Sequence, residues 1–300
     1  MAEPDAPDRG ERTPVEVDTE PPVVGRVALW LERTRVARGR IDEARARHRS
    51  LDLGFGVVEL DASIGGGLLA GALAYRLFVL LLPTALLFVS GLGLYADAAH
   101  LSTKEAAKQA GLQGLIASQV ASSASGGARW AIFIVTVPLV LYALAKLYRA
   151  VAIMHAIVWH RSGRGVRLTP RGVGALAGML VVVLFAAEVS HWARQPGALG
   201  AALGLLVYLV LVGGGWLLFS RELPHREVGW TGLLPGAAVV GVGLLFVNVF
   251  NVYFTTRLVE DRANTYGALG IAAALLFSLV LVGRVMIVSA ELNAELAGRR

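Results

Sequence analysis

Residues 228–256 read VGWTGLLPGAAVVGVGLLFVNVFNVYFTT, 29 consecutive positions without a charged side chain. A helix rises about 1.5 Å per residue and the hydrocarbon core of a bilayer is about 30 Å thick. About 20 apolar residues are therefore enough to cross a membrane. This stretch predicts a membrane-spanning helix, and its length leaves room for both ends to reach the interface.

Five further stretches are free of charge: residues 77–94, 131–145, 172–187, 197–220 and 263–283. Because side chains at the ends can reach the headgroups, we place six spans at about 72–94, 130–148, 172–190, 197–220, 228–254 and 265–288. The chain is 55% hydrophobic and 17% charged, whereas about a quarter of the residues of soluble proteins are charged. The sequence predicts an all-α integral membrane bundle of six transmembrane helices over residues 64–296.

The first 63 residues differ from the rest in charge. Residues 1–20 hold seven acidic side chains and three prolines, a composition that cannot form a core, so we interpret residues 1–25 as a disordered tail. Residues 26–63 form a basic juxtamembrane segment with seven arginines between Arg33 and Arg49. Nucleic acid could bind there, but a basic flank that fixes membrane orientation is the commoner use. We expect no nucleic-acid partner.

Basic residues also set the orientation of the predicted spans. The membrane-proximal tail, residues 146–171, 221–226 and 284–300 carry seven, six, two and three Lys or Arg, while the alternate loops carry three, one and two. The positive-inside rule then places both termini in the cytoplasm, including the short end 297–300. The loop at 95–129 faces outside, where its spaced leucines predict amphipathic helices between the first two spans.

Four basic side chains lie inside or at the edge of the predicted spans: Arg76, Lys146, Arg149 and Arg284. A charge in lipid costs about 2.5 kcal/mol or more, so such residues are candidates for function. In the predicted topology all four lie toward the cytoplasm, where they could form a pocket for an anionic lipid headgroup or a phosphate. The simpler interpretation is that they reach the headgroups on their own. Glu291 and Glu295 supply some counter-charge below Arg284.

Three polar residues of the predicted spans are further candidates. Asn248 and Asn251 are three residues apart and share a helix face, and we rank a hydrogen bond to a neighbouring helix above a substrate role for them. Glu188 lies near the outer end of the third span, where it would form an acidic mouth with His191, Glu260 and Asp261, although surface carboxylates are usually only solvated. Glycines four apart, such as Gly174 and Gly178, would let helices approach closely, although 35 glycines make chance pairs common.

The sequence holds no recognisable catalytic motif. Its six histidines are scattered, and His155 and His160 are five apart, on different faces of a helix. The chain has no cysteine, which excludes thiolate metal sites and disulfides. Phosphate-binding loops and nucleophile elbows are also missing. We therefore expect no metal, no cofactor and no enzymatic activity.

Several segments resemble one protein family. They are ALAYRLFVLLLP (72–83), LYRA (147–150) with IVW (157–159), LPHREVGW (223–230), GA (236–237), YGALG (266–270) and AELNAEL (290–296). Over about residues 67–296 the chain resembles the YihY/BrkB family of bacterial inner-membrane proteins. It departs from the family pattern at His155, where an asparagine is usual, and at Arg76, where an aromatic or apolar residue is usual. A pocket built on Arg76 would therefore belong to a subgroup.

The resemblance implies a multi-pass protein of the bacterial inner membrane, with a function in the export of lipid or envelope precursors. The family once carried a ribonuclease label. We reject it because RNA hydrolysis needs a metal cage or an acid–base pair, and the carboxylates of this sequence lie in the tail, in loops and at helix ends, with no close spacing on a helix face. Our leading hypothesis is a transporter or exporter of an anionic, lipid-like or envelope substrate. The alternative is a structural or regulatory membrane protein that binds partners or anionic lipid through a basic cytoplasmic face.

Overall fold

The computed structural model describes residues 45–98, 126–160, 166–193, 198–251 and 268–299. It places seven helices there, namely α1 (Arg49–Ile64), α2 (Gly66–Ala98), α3 (Gly126–Val158), α4 (Pro170–Ala193), α5 (Ala198–Arg221), α6 (Trp230–Phe250) and α7 (Ala268–Gly298). The described segments contain no β-strand. The all-helical class is therefore confirmed for this part of the chain.

Five of these helices, α2, α3, α5, α6 and α7, are long and apolar enough to cross a membrane. In α4 the corresponding apolar segment is shorter, Pro170–Ala186. The count of six spans and the cytoplasmic side of both termini stay predictions. The tail at 1–25 and most of the outer loop, residues 99–125, lie outside the described residues.

The chain divides into two compact units, Met1–Asp52 and Leu53–Arg300, and the apolar helices all belong to the second. In that unit each helix from α2 to α7 packs against the next one in chain order. Helix α7 then closes the ring, because it packs against α2 as well as α6, and it also contacts α3. Helices α7 and α3 therefore each pack against three other helices, and the remaining apolar helices of the described segments against two.

Side-chain burial follows this ring. The interior is lined by large buried side chains such as Leu147, Trp216 and Phe219, while large apolar side chains such as Leu82, Val181 and Phe246 are exposed on the outside. An exposed apolar surface is stable in lipid and unstable in water. The ring therefore presents a lipid-compatible exterior around a packed core.

Glycines set how closely α7 approaches its neighbours. A Cβ atom at Gly283 would lie 2.8 Å from the carbonyl oxygen of Ala70 in α2, and one at Gly236 in α6 would lie 2.5 Å from the carbonyl oxygen of Ser289. These distances leave no room for a side chain, so the backbones meet directly. Gly174 and Gly178 face open space instead.

Helix α1 turns into α2 at Gly65, whose positive φ of 68° suits glycine. The end of α1 then lies along the last turns of α7, because a Cβ atom at Gly56 would meet the carboxylate of Glu295. We call this side of the molecule the α1 end. It also holds the last turns of α3, which runs antiparallel to α2 because Arg129 near its start pairs with Asp97 near the end of α2. The last turns of α5 lie there too, since Trp216 is hydrogen-bonded to Ser289 of α7.

Candidate functional site

The strongest polar contact at the α1 end joins Arg284 of α7 to Asp61 of α1. Nη1 of Arg284 lies 2.6 Å from Oδ1 of Asp61, and Nη2 lies 3.1 Å from Oδ2. Two parallel hydrogen bonds of this kind are the strong, directional form of an ion pair. A side chain at Gly66 would overlap the carboxylate of Asp61, so the glycine next to the turn makes room for the pair.

Arg284 was one of the four predicted anion-binding residues, and the chain itself supplies its anion. The sequence pattern pointed to Glu291 and Glu295 as counter-charges, because both share the face of α7 that carries Arg284. Asp61 was missed, since no local spacing links two residues 223 positions apart. Its position three residues before the end of an amphipathic helix was the only available signal.

Glu291 lies two helical turns beyond Arg284 and is 0% exposed. Neither of its carboxyl oxygens has a hydrogen-bond partner among the residues that the structure describes. The charges that act on it are those of Asp61 and Arg284. Two carboxyl groups and one guanidinium group therefore form a single cluster, which we call the acid–arginine cluster.

Other polar groups of α7 at this end are paired with α5 and α6. Nε1 of Trp216 donates to Oγ of Ser289 at 2.9 Å. Oδ1 of Asn293 accepts from the backbone N–H of Gly236 at 2.8 Å, and its Nδ2 donates to the carbonyl oxygen of Leu233 at 3.3 Å. Buried hydrogen bonds of this kind fix how the helices sit against one another. Ser289 and Asn293, two residues to either side of Glu291 in α7, are therefore both hydrogen-bonded to other helices.

A second buried polar group lies where α3 ends. His155 and Trp159 are buried, and the ring of Trp159 meets that of His225 edge-on at 6.2 Å. Nδ1 of His155 and Nε1 of Trp159 have no hydrogen-bond partner in the described part of the chain. The described part of the chain contains no group of three or more His, Cys, Asp or Glu residues that could hold a metal ion. His155 therefore belongs to the core, and His160 is exposed.

The other three predicted cations have different surroundings from Arg284. Arg76 is exposed on α2, with its guanidinium group 5.9 Å from the centroid of the Tyr75 ring. Nζ of Lys146 lies 5.1 Å from the centroid of the Tyr142 ring on α3, and Arg149 is exposed. Both aromatic partners are exposed too. These cations lie on the outside of the ring, where lipid would surround it.

Arg76 and Arg149 lie at about the same depth. Nη1 of Arg129 pairs with Oδ1 of Asp97 at 2.8 Å, which fixes the antiparallel register of α3 against α2. Arg76 is 21 residues before Asp97, and Arg149 is 20 residues after Arg129. Arg284 is lower, because the adjacent Gly283 meets Ala70, six residues and so about 9 Å of helix before Arg76.

The predicted polar residues lie toward the opposite end. Asn251, just after α6, accepts a hydrogen bond at 2.6 Å on Oδ1 from Oγ of Ser278 in α7, which is the contact with a neighbouring helix that the sequence favoured. Asn248 is half-buried. Glu188 belongs to α4, but its side chain lies outside the described residues.

Comparison with known proteins gives one match. A family model described as virulence factor BrkB matches residues 64–300, which is most of the chain and includes every helix from α2 to α7. This match confirms the resemblance found in the sequence segments. The searches of curated proteins and of solved structures find no match.

Proposed function

Because the chain belongs to the BrkB family of membrane proteins, we propose that it moves an anionic, lipid-like substrate between the leaflets of the bacterial inner membrane. The substrate approaches from the lipid side, at the exposed face shared by α2 and α3. Arg76 and Arg149 bind its phosphate or headgroup there. The proposal involves no chemical conversion of the substrate and no cofactor.

The level placement of Arg76 and Arg149 supports the proposal. These two exposed guanidinium groups lie on adjacent, packed helices, and neither has an acidic partner among the residues that the structure describes. Two positive charges at one level of the bundle, without acidic partners, give a positive surface that attracts anions. Each basic residue near an anionic lipid surface contributes about 1 kcal/mol of attraction. The aromatic neighbours Tyr75 and Tyr142 suit a lipid headgroup region, where aromatic rings collect.

Lys146 and Arg284 differ in whether they contribute to the binding surface. Lys146 is half-buried one turn from Arg149, so its ammonium group adds to the same positive surface. Arg284 is left out of the binding surface because Asp61 already neutralises it. Binding is therefore assigned to three of the four predicted cations.

Lipid translocation in proteoliposomes tests this function. The full-length protein is reconstituted, and the transfer of a fluorescent anionic phospholipid between leaflets is compared with that of a zwitterionic one. We expect faster transfer of the anionic lipid, and a loss of about tenfold or more in the Arg76→Gln/Arg149→Gln variant, from about 1 kcal/mol for each cation. Arg226→Gln is the matched control, because Arg226 is exposed between α5 and α6 at the same end.

The alternative function is a membrane protein that binds anionic lipid or partners without moving lipid. The exposed cations would serve it equally well. Binding of anionic lipid that depends on Arg76 and Arg149, together with no transfer above protein-free liposomes, would favour this alternative over transport.

A further inference from the structure

The acid–arginine cluster contains one more acid than it has bases. Both hydrogen bonds of the Arg284 guanidinium group in the pair go to Asp61. Glu291 is fully buried, and neither of its oxygens has a hydrogen-bond partner among the described residues. A buried carboxylate without a donor or a counter-ion is strongly disfavoured, so it must be neutralised by a cation or by a proton.

The rest of α7 and the facing helix α6 offer no second cation to Glu291. Glu295 is one turn further along α7 and is held by Arg299, whose Nη2 lies 2.9 Å from its Oε1. The sequence of α6, Trp230–Phe250, has no charged residue at all. Glu291 therefore meets no opposite charge from these two directions.

The other two helices that pack against α7 give the same result. On α2 the nearest charge is Arg76, which is exposed and lies beyond Ala70 by six residues. On α3 the titratable groups toward the α1 end are the buried His155, Lys146 beside Tyr142, and the exposed Arg149. The hydroxyl of Tyr148 is hydrogen-bonded to Thr169 and to the carbonyl oxygen of Glu222, and Arg129, at the other end of α3, pairs with Asp97. Within the described segments, the charged groups that act most strongly on Glu291 are Asp61 and Arg284.

We propose that Glu291 is a proton-binding site, and that it shares the bound proton with Asp61. With the proton in place, the O–H of Glu291 donates to a carboxylate oxygen of Asp61, and Asp61 remains the ionised partner of Arg284. Two acids, one base and one proton then have no net charge, which removes the cost of burying Glu291. The O–H bond of the Glu291 carboxyl group is the only covalent bond made or broken.

The proton has a route to and from solvent through Asp61. The side chains of Asp61 and Arg284 are 24% and 36% exposed, while Glu291 is closed off behind them. When the proton leaves, Arg284 faces two ionised acids and its pair with Asp61 is weakened. Proton occupancy is thereby tied to the contact between α1 and α7. The proton-binding site does not depend on the proposed lipid transport. Its residues differ from those assigned to lipid binding, and the experiment that detects the bound proton uses no lipid substrate.

Infrared spectroscopy of the full-length protein in nanodiscs measures the site directly. The C=O stretching band of a protonated carboxyl group is followed from about pH 5 to about pH 9, a range in which exposed glutamates are ionised and buried ones can keep a proton. We expect a band that persists at neutral pH and is lost in the alkaline part of the range. Glu291→Gln should abolish it, while Glu295→Gln, one turn away, should leave it.

Asp61→Asn provides a second variant, which keeps the test decisive if Glu291→Gln does not fold. Without the Asp61 carboxylate, Arg284 is free to neutralise Glu291, so the band should be lost at a pH lower by about one unit or more. The proposal is overturned if the wild-type protein shows no such band at neutral pH, or if the band survives in Glu291→Gln. A band that disappears at constant pH when sodium replaces choline would assign the site to a metal cation and would also overturn it.

Discussion

Arg284 and Asp61 are 223 residues apart in the chain and are joined by two parallel hydrogen bonds, at 2.6 Å and 3.1 Å. The pair connects the last helix of the bundle to the helix that precedes the first apolar one. It removes one cation from the positive surface that the sequence indicated, and it leaves Glu291 without an opposite charge of its own.

Removing the carboxylate of Asp61 and removing the guanidinium group of Arg284 should lower the free energy of unfolding by different amounts. In Asp61→Asn, Arg284 can turn to Glu291, so we expect a loss of about 1 kcal/mol or less, as for partly exposed ion pairs. In Arg284→Gln, two carboxyl groups face each other without a cation, and the loss should be about 1–3 kcal/mol. Melting temperatures of both variants in detergent measure the difference. An equal or larger effect of Asp61→Asn would contradict the assigned geometry.

Glycine positions give a second prediction. Gly283→Ala should lower the free energy of unfolding by about 1–3 kcal/mol, because its Cβ would lie 2.8 Å from the carbonyl oxygen of Ala70. The yield and melting temperature of the folded protein should fall with it. Gly178→Ala is the control, since its Cβ would meet nothing within 4 Å. The control should be neutral or slightly stabilising, because alanine favours helix more than glycine does. Similar losses for both would show that α7 and α2 do not meet at this point.

The hydrogen bond from Trp216 to Ser289 gives a third prediction. Trp216→Phe leaves the Ser289 hydroxyl without its buried donor and should cost about 1–3 kcal/mol. In the background of Ser289→Ala the same change should cost less, because no donor is then needed. Unfolding free energies or melting temperatures of the four proteins form a double-mutant cycle. A coupling energy of zero would mean that the two residues act independently.

Ionic strength gives a fourth prediction, for the exposed cations. The preference of the wild-type protein for anionic over zwitterionic lipid should shrink as salt rises, because screening acts on exposed charges over about 10 Å at 0.1 M salt. Arg76→Gln/Arg149→Gln should remove most of this salt dependence. Quantitative lipid binding to the detergent-solubilised protein measures both effects. A salt-independent preference in the wild type would contradict an electrostatic role for the two arginines.

The predicted topology can be tested with reporter fusions. A reporter that is active only in the cytoplasm should be inactive when fused at residue 110 and active when fused at residue 300. The distribution of basic residues between the loops is the physical reason for this expectation. Activity at residue 110, or none at residue 300, would exclude six spans with both termini in the cytoplasm.

The sequence predicted the helices far better than it predicted their contacts. Long apolar runs require helices in a membrane, because the backbone must satisfy its own hydrogen bonds there. Which faces meet depends on small differences between apolar side chains. Gly174 and Gly178 matched the spacing for close helix contact and face open space, whereas Gly283, outside any quoted pair, lies against Ala70. Spacing alone could not distinguish these cases, since glycine is frequent throughout the chain.

The four cations illustrate the same limit at the candidate site. Their types and positions along each span identified side chains that are costly in lipid, and Arg76 and Arg149 are indeed exposed on adjacent helices. The position of Arg284 relative to them depended on how α7 is shifted against α2, which follows from the contact at Gly283. Local sequence carries no information on that shift, and so none on Asp61 as the partner.

The closure of the ring by α7 has a consequence for biosynthesis. Helix α7 leaves the ribosome after the other described helices, yet α2, α3 and α6 all pack against it. Until it is inserted, the facing surfaces of these helices have only lipid or an insertion chaperone to contact, and Asp61 has no arginine to bind. A product truncated before α7 should therefore be a substrate for membrane proteases, so that insertion of α7 and resistance to degradation coincide in this protein.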